Sequence, residues 1–266
     1  MKQHKHSLLL LPVLLAVLPA AFAQRIVTLT PDVADVVVAL GAAEEVVARD
    51  LTTTNPALKN KPSIGVFRQL SMETIAAQKP DVAIGSWMAQ PQSIYSSLNS
   101  IGIRAVNVAP KDDLNDYPKS IREIGKLLGK TAKAEALAKD WQARMKPMPS
   151  TGKRYLITYD GRIVAGRNTA ADELIRRAGG VNAAAGIEGL KPLTREAWAA
   201  AKPDVVIVSE HHSKDVGHVD GMLKRPELAA SPAAKKRNIH FWPANDIFRY
   251  GLDTPQVVQR LNGLAK

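Results

Sequence analysis

The chain has 266 residues, 45% hydrophobic content and 36 Lys+Arg against 25 Asp+Glu, a formal charge of +11. This is enough material for one or two globular domains and excludes a disordered or collagen-like chain. Cysteine is absent, which excludes disulfides, Cys-ligated zinc, iron–sulfur clusters and a thiol nucleophile.

The first 23 residues read as an export signal. Lys2 and Lys5 form a positive start, residues 8–17 are apolar apart from Pro12, and Ala21-Phe22-Ala23 supplies the small residues a signal peptidase reads. Cleavage after Ala23 is expected to leave a mature chain from Gln24, with 34 basic residues against 25 acidic ones. No Cys follows, so no lipid is attached there, and the expected location is the periplasm. No later run of about 18 apolar residues appears, so no internal membrane span is expected. The basic residues are scattered apart from Lys235-Lys236-Arg237. No nucleic-acid-binding motif is present, and a small anionic ligand suits the charge better.

The patterns beyond the signal alternate between strand and helix. Residues 25–29 read as a strand, 31–40 as a helix stopped at Gly41, and 46–48 as a strand. Residues 94–101 read as a helix before a strand over 104–108. In the second half, 154–158 is a strand followed by an Asp160-Gly161 turn, and Thr169 caps a helix over 170–178 with Asp172 at a capping-box position. Residues 238–242 read as a strand and 255–264 as a terminal helix. Short parallel sheets are the expected outcome.

An internal repeat sharpens this. Residues 70–86 align without gaps on 193–209, an offset of 123. In each copy Ser71 or Thr194 caps a short helix with an acid, Glu73 or Glu196, in its first turn, where the helix dipole favours negative charge. Lys79-Pro80 or Lys202-Pro203 ends the helix, and Asp81 or Asp204 opens a buried strand. A repeat at half the chain length predicts two similar lobes. Between them, residues 116–145 carry apolar positions at helical spacing, with Gly129 as a weak point. One long or once-kinked helix of roughly 30 residues, about 45 Å long, is expected there, and two ordinary helices are the alternative. The chain thus divides into an export signal (1–23), a first lobe (24–112), an interlobe helix (113–148) and a second lobe (149–266).

Three segments then carry a resemblance: Gly65-Val66-Phe67-Arg68-Gln69-Leu70-Ser71, Ala165-Gly166-Arg167-Asn168-Thr169-Ala170-Ala171-Asp172, and the run from residue 178 to 194. With the two-lobe plan they resemble the substrate-binding proteins of ABC importers for iron chelates and cobalamin, and more specifically the periplasmic heme-binding branch. The resemblance implies two Rossmann-like lobes joined by a long linking helix, the class III periplasmic-binding-protein fold. It implies a monomer that carries heme as cargo, without a catalytic cofactor, to an inner-membrane permease and its ATPase. Cobalamin or a ferric siderophore is the alternative ligand in the same fold. The heme branch usually has Gly-Tyr-x-Arg with the tyrosine as axial iron ligand. Here Val66, which has no donor atom, stands in the tyrosine position, so the resemblance implies either another iron ligand or another cargo.

Ligands of open α/β sheets sit beyond the carboxyl ends of the strands. Trp87 and Met88 follow one repeat strand, and His211 and His212 follow the other, so these pairs are expected on opposite walls. Heme iron is held by His, Tyr, Met or Cys, which makes His211 and His212 the candidate ligands and Tyr250 the alternative. Arg68, beside Phe67, and Arg249 are expected at the propionates, since a guanidinium matches a carboxylate. Tyr95 is expected to be structural. Glu73 and Glu196 are expected, from the family, to dock the two lobes on the permease. A zinc or manganese clamp is disfavoured because residues 24–150 contain no histidine. No enzyme is expected: there is no Cys, no nucleophile elbow and no His-Glu-x-x-His helix, and an exported hydrolase with a Ser/His/Asp site assembled from distant positions is the disfavoured alternative.

Overall fold

The computed structural model describes residues 24–265, so the expected export signal lies outside them. The first lobe runs β1 (Ile26–Thr28), α1 (Pro31–Ala39), β2 (Val46–Arg49), α2 (Met72–Ala76), β3 (Val82–Gly85), α3 (Ile94–Ser100) and β4 (Arg104–Asn107). Its strands lie in the order β2-β1-β3-β4, all parallel. Such a sheet is covered by helices on both faces, which is why β3 is buried at every position.

The second lobe begins with β5 (Arg154–Thr158), β6 (Ile163–Ala165), α6 (Ala170–Arg177), β7 (Val181–Asn182) and β8 (Leu190–Pro192). It continues with α7 (Arg195–Ala201), β9 (Val205–Ser209), α8 (His218–Leu223), α9 (Pro226–Ala229) and α10 (Pro232–Lys235). Strand β10 (Ile239–Trp242) and helices α11 (Ala244–Ile247) and α12 (Thr254–Gly263) close it. The strand order is β10-β9-β5-β6-β8, with β7 beside β5. The first three are parallel, but β6 runs antiparallel to β5 and β8, so this sheet is mixed rather than parallel throughout. The cause is the turn after β5: Asp160 Oδ1 accepts the N–H groups of Arg162 and Ile163 at 2.9 and 2.7 Å, and Gly161 takes φ +79°. This Asx turn sends the chain straight back.

The connection also differs from a single long helix. It is broken into α4 (Tyr117–Leu127) and α5 (Thr131–Arg144). Gly129, at φ +65°, supplies the left-handed residue that ends α4. Helix α5 then folds back along α4. Arg122 reaches Glu135 at 2.6 Å and Gln142 at 3.0 Å, and a Cβ at Gly125 would lie 2.1 Å from that of Ala134.

The repeat extends to side chains. Lys79 and Lys202 both adopt positive φ, 49° and 41°. Asp81 accepts the backbone N–H of Arg25 at 2.8 Å, and Asp204 accepts that of Arg154 at 2.9 Å. Each arginine's Nε then donates to a carbonyl at the end of the preceding helix, Lys79 O at 2.8 Å and Ala201 O at 2.9 Å. The same clasp thus closes the entry to β1 and to β5. One continuous apolar core joins α1 (Val33, Val37), the hairpin (Ile121, Trp141), β5 (Tyr155, Ile157) and α12 (Val258, Leu261). Trp141 Nε1 donates to Gly251 O at 2.9 Å and Tyr155 Oη to Leu261 O at 2.6 Å, so both buried polar tips are satisfied.

Candidate functional site

A cleft of about 950 Å³ opens between the lobes. Its walls come from the carboxyl ends of the strands: Thr52 after β2, Trp87 and Met88 after β3, Tyr159 after β5, Glu210 and His211 after β9, and Asn245 after β10. This is where the topology of open sheets places a ligand. The lining is largely apolar, as small-molecule sites are.

On the first-lobe wall, Val66, Phe67 and Arg68 line the cleft together with Trp87 and Met88. Val66 starts a tight turn over Phe67–Gln69. That turn is bound from behind by Asp50, which is fully buried. Asp50 Oδ2 accepts Phe67 N–H at 2.7 Å, and Oδ1 accepts both the N–H of Thr52, at 2.9 Å, and its hydroxyl. Burial pushes the Asp50 carboxyl up, while these donors pull it down. The Arg68 guanidinium stands over the Phe67 ring at 5.3 Å. Its side chain is exposed and forms no ion pair or hydrogen bond among the described residues.

The facing wall is an aromatic cluster. The Tyr159 ring meets His211 and His212 edge-on at 5.0 and 4.8 Å and Phe248 at 5.7 Å, and the two imidazoles lie 4.3 Å apart. His211 Nδ1 pairs with Ser209 Oγ at 2.8 Å. Its Nε2 has no hydrogen-bond partner among the described residues, and in the tautomer whose Nδ1–H donates to Ser209 it carries the lone pair. Partial burial, then His212 and Arg68, lower the His211 pKa, so the ring is neutral at pH 7. His212, the other expected iron ligand, is not among the residues that line the cleft; its Nδ1 is bound to Asp215 at 2.8 Å and its ring packs on Tyr159. Among the described residues no group of three or more His, Asp or Glu side chains is placed to hold a bare metal ion.

Two expected site residues turn out otherwise. Arg249 reaches the cleft wall, but its side chain is 5% exposed and its Nη2 lies 3.4 Å from Asp35 of α1 in the other lobe. Its Nη1 donates to Tyr250 O, and Nε is buried without a partner. The guanidinium therefore ties the lobes together instead of presenting itself to a ligand. Tyr250 is 8% exposed and lines a separate small recess with Asp32, Tyr117 and Arg249. Burial, with Asp112 and Glu173 nearby, drives its phenol well above the usual value. Tyr95 is structural, donating to Ser86 O at 2.7 Å.

Glu73 and Glu196 are both exposed, each in the first turn of its capped helix. The hydroxyl of Ser71 binds Glu73 and lowers its pKa, while backbone and Thr194 hydrogen bonds lower that of Glu196. Neither lines the cleft; in sequence Glu73 lies five residues after Arg68 and Glu196 six after Leu190, both lining residues. Sequence reasoning missed Tyr159, Phe248 and Asn245. Tyr159 had a usable signal, since it is the first residue beyond strand β5, and position after a strand's carboxyl end is the rule that located Trp87 and His211.

Residues 26–245 match the family described as "Periplasmic binding protein". Among solved structures, the chain resembles the periplasmic heme-binding protein RhuT from Roseiflexus sp. RS-1 in apo form, with 33% identity and a TM-score of 0.83, covering 92% of this chain and all of that one. Among curated proteins, it is 24% identical to the vitamin B12-binding protein of Vibrio vulnificus (strain YJ016), over 86% of this chain and 84% of that one. It is also 25% identical to the uncharacterized ABC transporter substrate-binding lipoprotein YvrC of Bacillus subtilis (strain 168), over 70% of this chain. That match spans 64% of the Bacillus protein, just under two thirds of its length.

Proposed function

We propose, from the premise that the chain belongs to the periplasmic binding protein family, that it captures heme in its cleft and delivers it to an ABC importer. The observation that carries the ligand is the contrast between the walls. An apolar cleft holds one unpaired guanidinium, Arg68, opposite an imidazole, His211, that keeps a free nitrogen. Heme needs this combination: a flat apolar macrocycle, carboxylates at one edge and an iron that seeks a nitrogen or phenol oxygen. Phe67, Trp87 and Met88 pack on the macrocycle and Arg68 takes a propionate. His211 and Tyr159 supply the iron donors that Val66 lacks. The likeness to a heme-binding protein at 33% identity supports the same ligand.

In this reading residues 1–23 direct export and are removed. The lobes 24–112 and 149–266 form the two walls, and 113–148 connects them. Glu73 and Glu196 form one anionic contact per lobe for a permease.

Visible-absorption titration of the mature chain with hemin tests the ligand, with cobalamin as competitor. A saturable Soret shift that His211→Ala or Tyr159→Phe alters is expected. Absence of a saturable change, with tight cobalamin binding, would replace heme by cobalamin.

A further inference from the structure

The Arg68 side chain owes its place to an acid that never meets the ligand. Asp50 is fully buried, and its hydrogen bonds to loops go to Thr52 and Phe67, both cleft-lining residues. The neighbouring backbone bonds reinforce the arrangement. Leu51 N–H donates to Gly65 O at 2.9 Å, Gln90 N–H to Phe67 O at 2.7 Å, and Leu70 N–H to Gln90 O at 2.8 Å. The turn is thereby stitched to the strand end on one side and to the Trp87–Gln90 loop on the other. Arg68 itself has no bond that would hold it. The backbone of the turn fixes where the Arg68 side chain starts, and Asp50 binds that backbone at the Phe67 N–H.

Three donors converge on Asp50, and they need both carboxylate oxygens. Asparagine has the same shape but one oxygen, so it would turn an NH2 group against either Phe67 N–H or the Thr52 pair. An acid is thus the residue that satisfies all three donors of the turn at once.

We infer that Asp50 is a positioning residue for carboxylate recognition: it holds the Phe67–Gln69 turn so that Arg68 meets a ligand propionate. This rests on the heme reading of the cleft. Its effect travels through Arg68 and falls on ligands that carry carboxylates.

The test is a four-member cycle of wild type, Asp50→Asn, Arg68→Ala and the double variant, titrated with hemin and with heme dimethyl ester, whose carboxylates are masked. For hemin, Arg68→Ala is expected to weaken binding about 10- to 100-fold and Asp50→Asn about tenfold. The double variant should be no weaker than Arg68→Ala alone. For the ester, Arg68→Ala should bind within about twofold of wild type, and Asp50→Asn, which also shifts the cleft-lining Phe67, should lose clearly less than it loses for hemin. Thr52→Ala removes one donor while leaving the acid, and is expected to show a smaller loss with the same ester selectivity. It serves if Asp50→Asn does not fold. Equal losses for hemin and ester, or additive losses in the double variant, would overturn the role of Asp50 while leaving heme binding intact. A wild type that does not bind hemin would instead overturn the heme reading.

Discussion

Arg249 offers the sharpest test of how the lobes are held. Its guanidinium is 5% exposed and sits 3.4 Å from Asp35, which is 25% exposed. At that distance and an effective dielectric of about 20, the attraction is about 5 kcal/mol. Much of this is offset by the desolvation of both charges, which is why the pair adds little net stability over an apolar substitute. Removing one partner is another matter. Arg249→Ala leaves Asp35 half-buried beside Asp32 and Asp253 with no cation. A loss of about 3 kcal/mol is expected, at the low end for a buried pair because Asp35 keeps some water. For a chain this size that corresponds to a fall in Tm of about 6–12 °C. The pH dependence fixes the mechanism. Burial already holds the Asp35 carboxyl above its ordinary value of 3.8, and losing Arg249 raises it further. A raised carboxylate pKa in the folded state means stability that is present at low pH and lost as pH rises through that pKa. The deficit of the variant should therefore be largest at pH 7 and shrink as pH falls toward 4. Adding Asp35→Asn should recover part of the loss at pH 7. Thermal denaturation of the three proteins at pH 7 and pH 5 reads all of this. A Tm within 2 °C of wild type, or no recovery by Asp35→Asn, would refute the interlobe tie.

Three further outcomes follow from other parts of the molecule. Gly125→Ala should cost about 1–3 kcal/mol in chemical denaturation, because its Cβ would collide with Ala134; no loss would mean that α4 and α5 are not in contact. His211 has its pKa lowered from 6.5, chiefly by burial, so its contribution to heme binding should hold at neutral pH and fade in acid as the ring protonates. His211→Ala should abolish this acid limb of the binding curve, and its survival would assign the iron to Tyr159. The Glu73→Ala, Glu196→Ala double variant should bind hemin normally yet fail to support uptake in cells, since both acids are exposed. Normal uptake would remove the docking role.

Much of the fold was legible because repetition and burial leave strong marks. Parallel strands covered on both faces are short apolar runs, and 154–158 was read to the residue. The capped helices at Ser71, Thr169 and Thr194 were read from one hydroxyl each, and each hydroxyl accepts the expected backbone N–H. The misses share a physical origin. The hairpin turned on whether Gly129 bends or reverses the chain, a choice made by the close fit of Gly125 on Ala134, 9 positions away. The reversal at Asp160 was recognised as a turn, but nothing local says whether a crossover or an antiparallel strand follows. In the site, Phe67, Arg68, Trp87, Met88 and His211 were found because strand ends and the motif around Val66 mark them. Arg249 lines the cleft, and Tyr250 lines a recess that shares Trp87, Met88 and Arg249 with it; what a loop sequence does not reveal is how deeply each side chain is buried. Asp50 was invisible, since its partners lie 2 and 17 residues away in segments that look like ordinary loop.

The apolar core that runs unbroken from α1 through the hairpin to β5 and α12 has a mechanical consequence. Hinge proteins open by pivoting on thin strands, where little greasy surface must be wetted. Here a wide opening would part α1 and the hairpin from β5 and α12 within one shared core, at roughly 25 cal/mol for each Å² of apolar area exposed. The two halves therefore behave as one stiff jaw with a fixed gape, and selection among ligands falls to the shape of a mouth already formed. A transporter that must tell a loaded carrier from an empty one would then have to sense the cargo or the small loops around it, since the body scarcely moves.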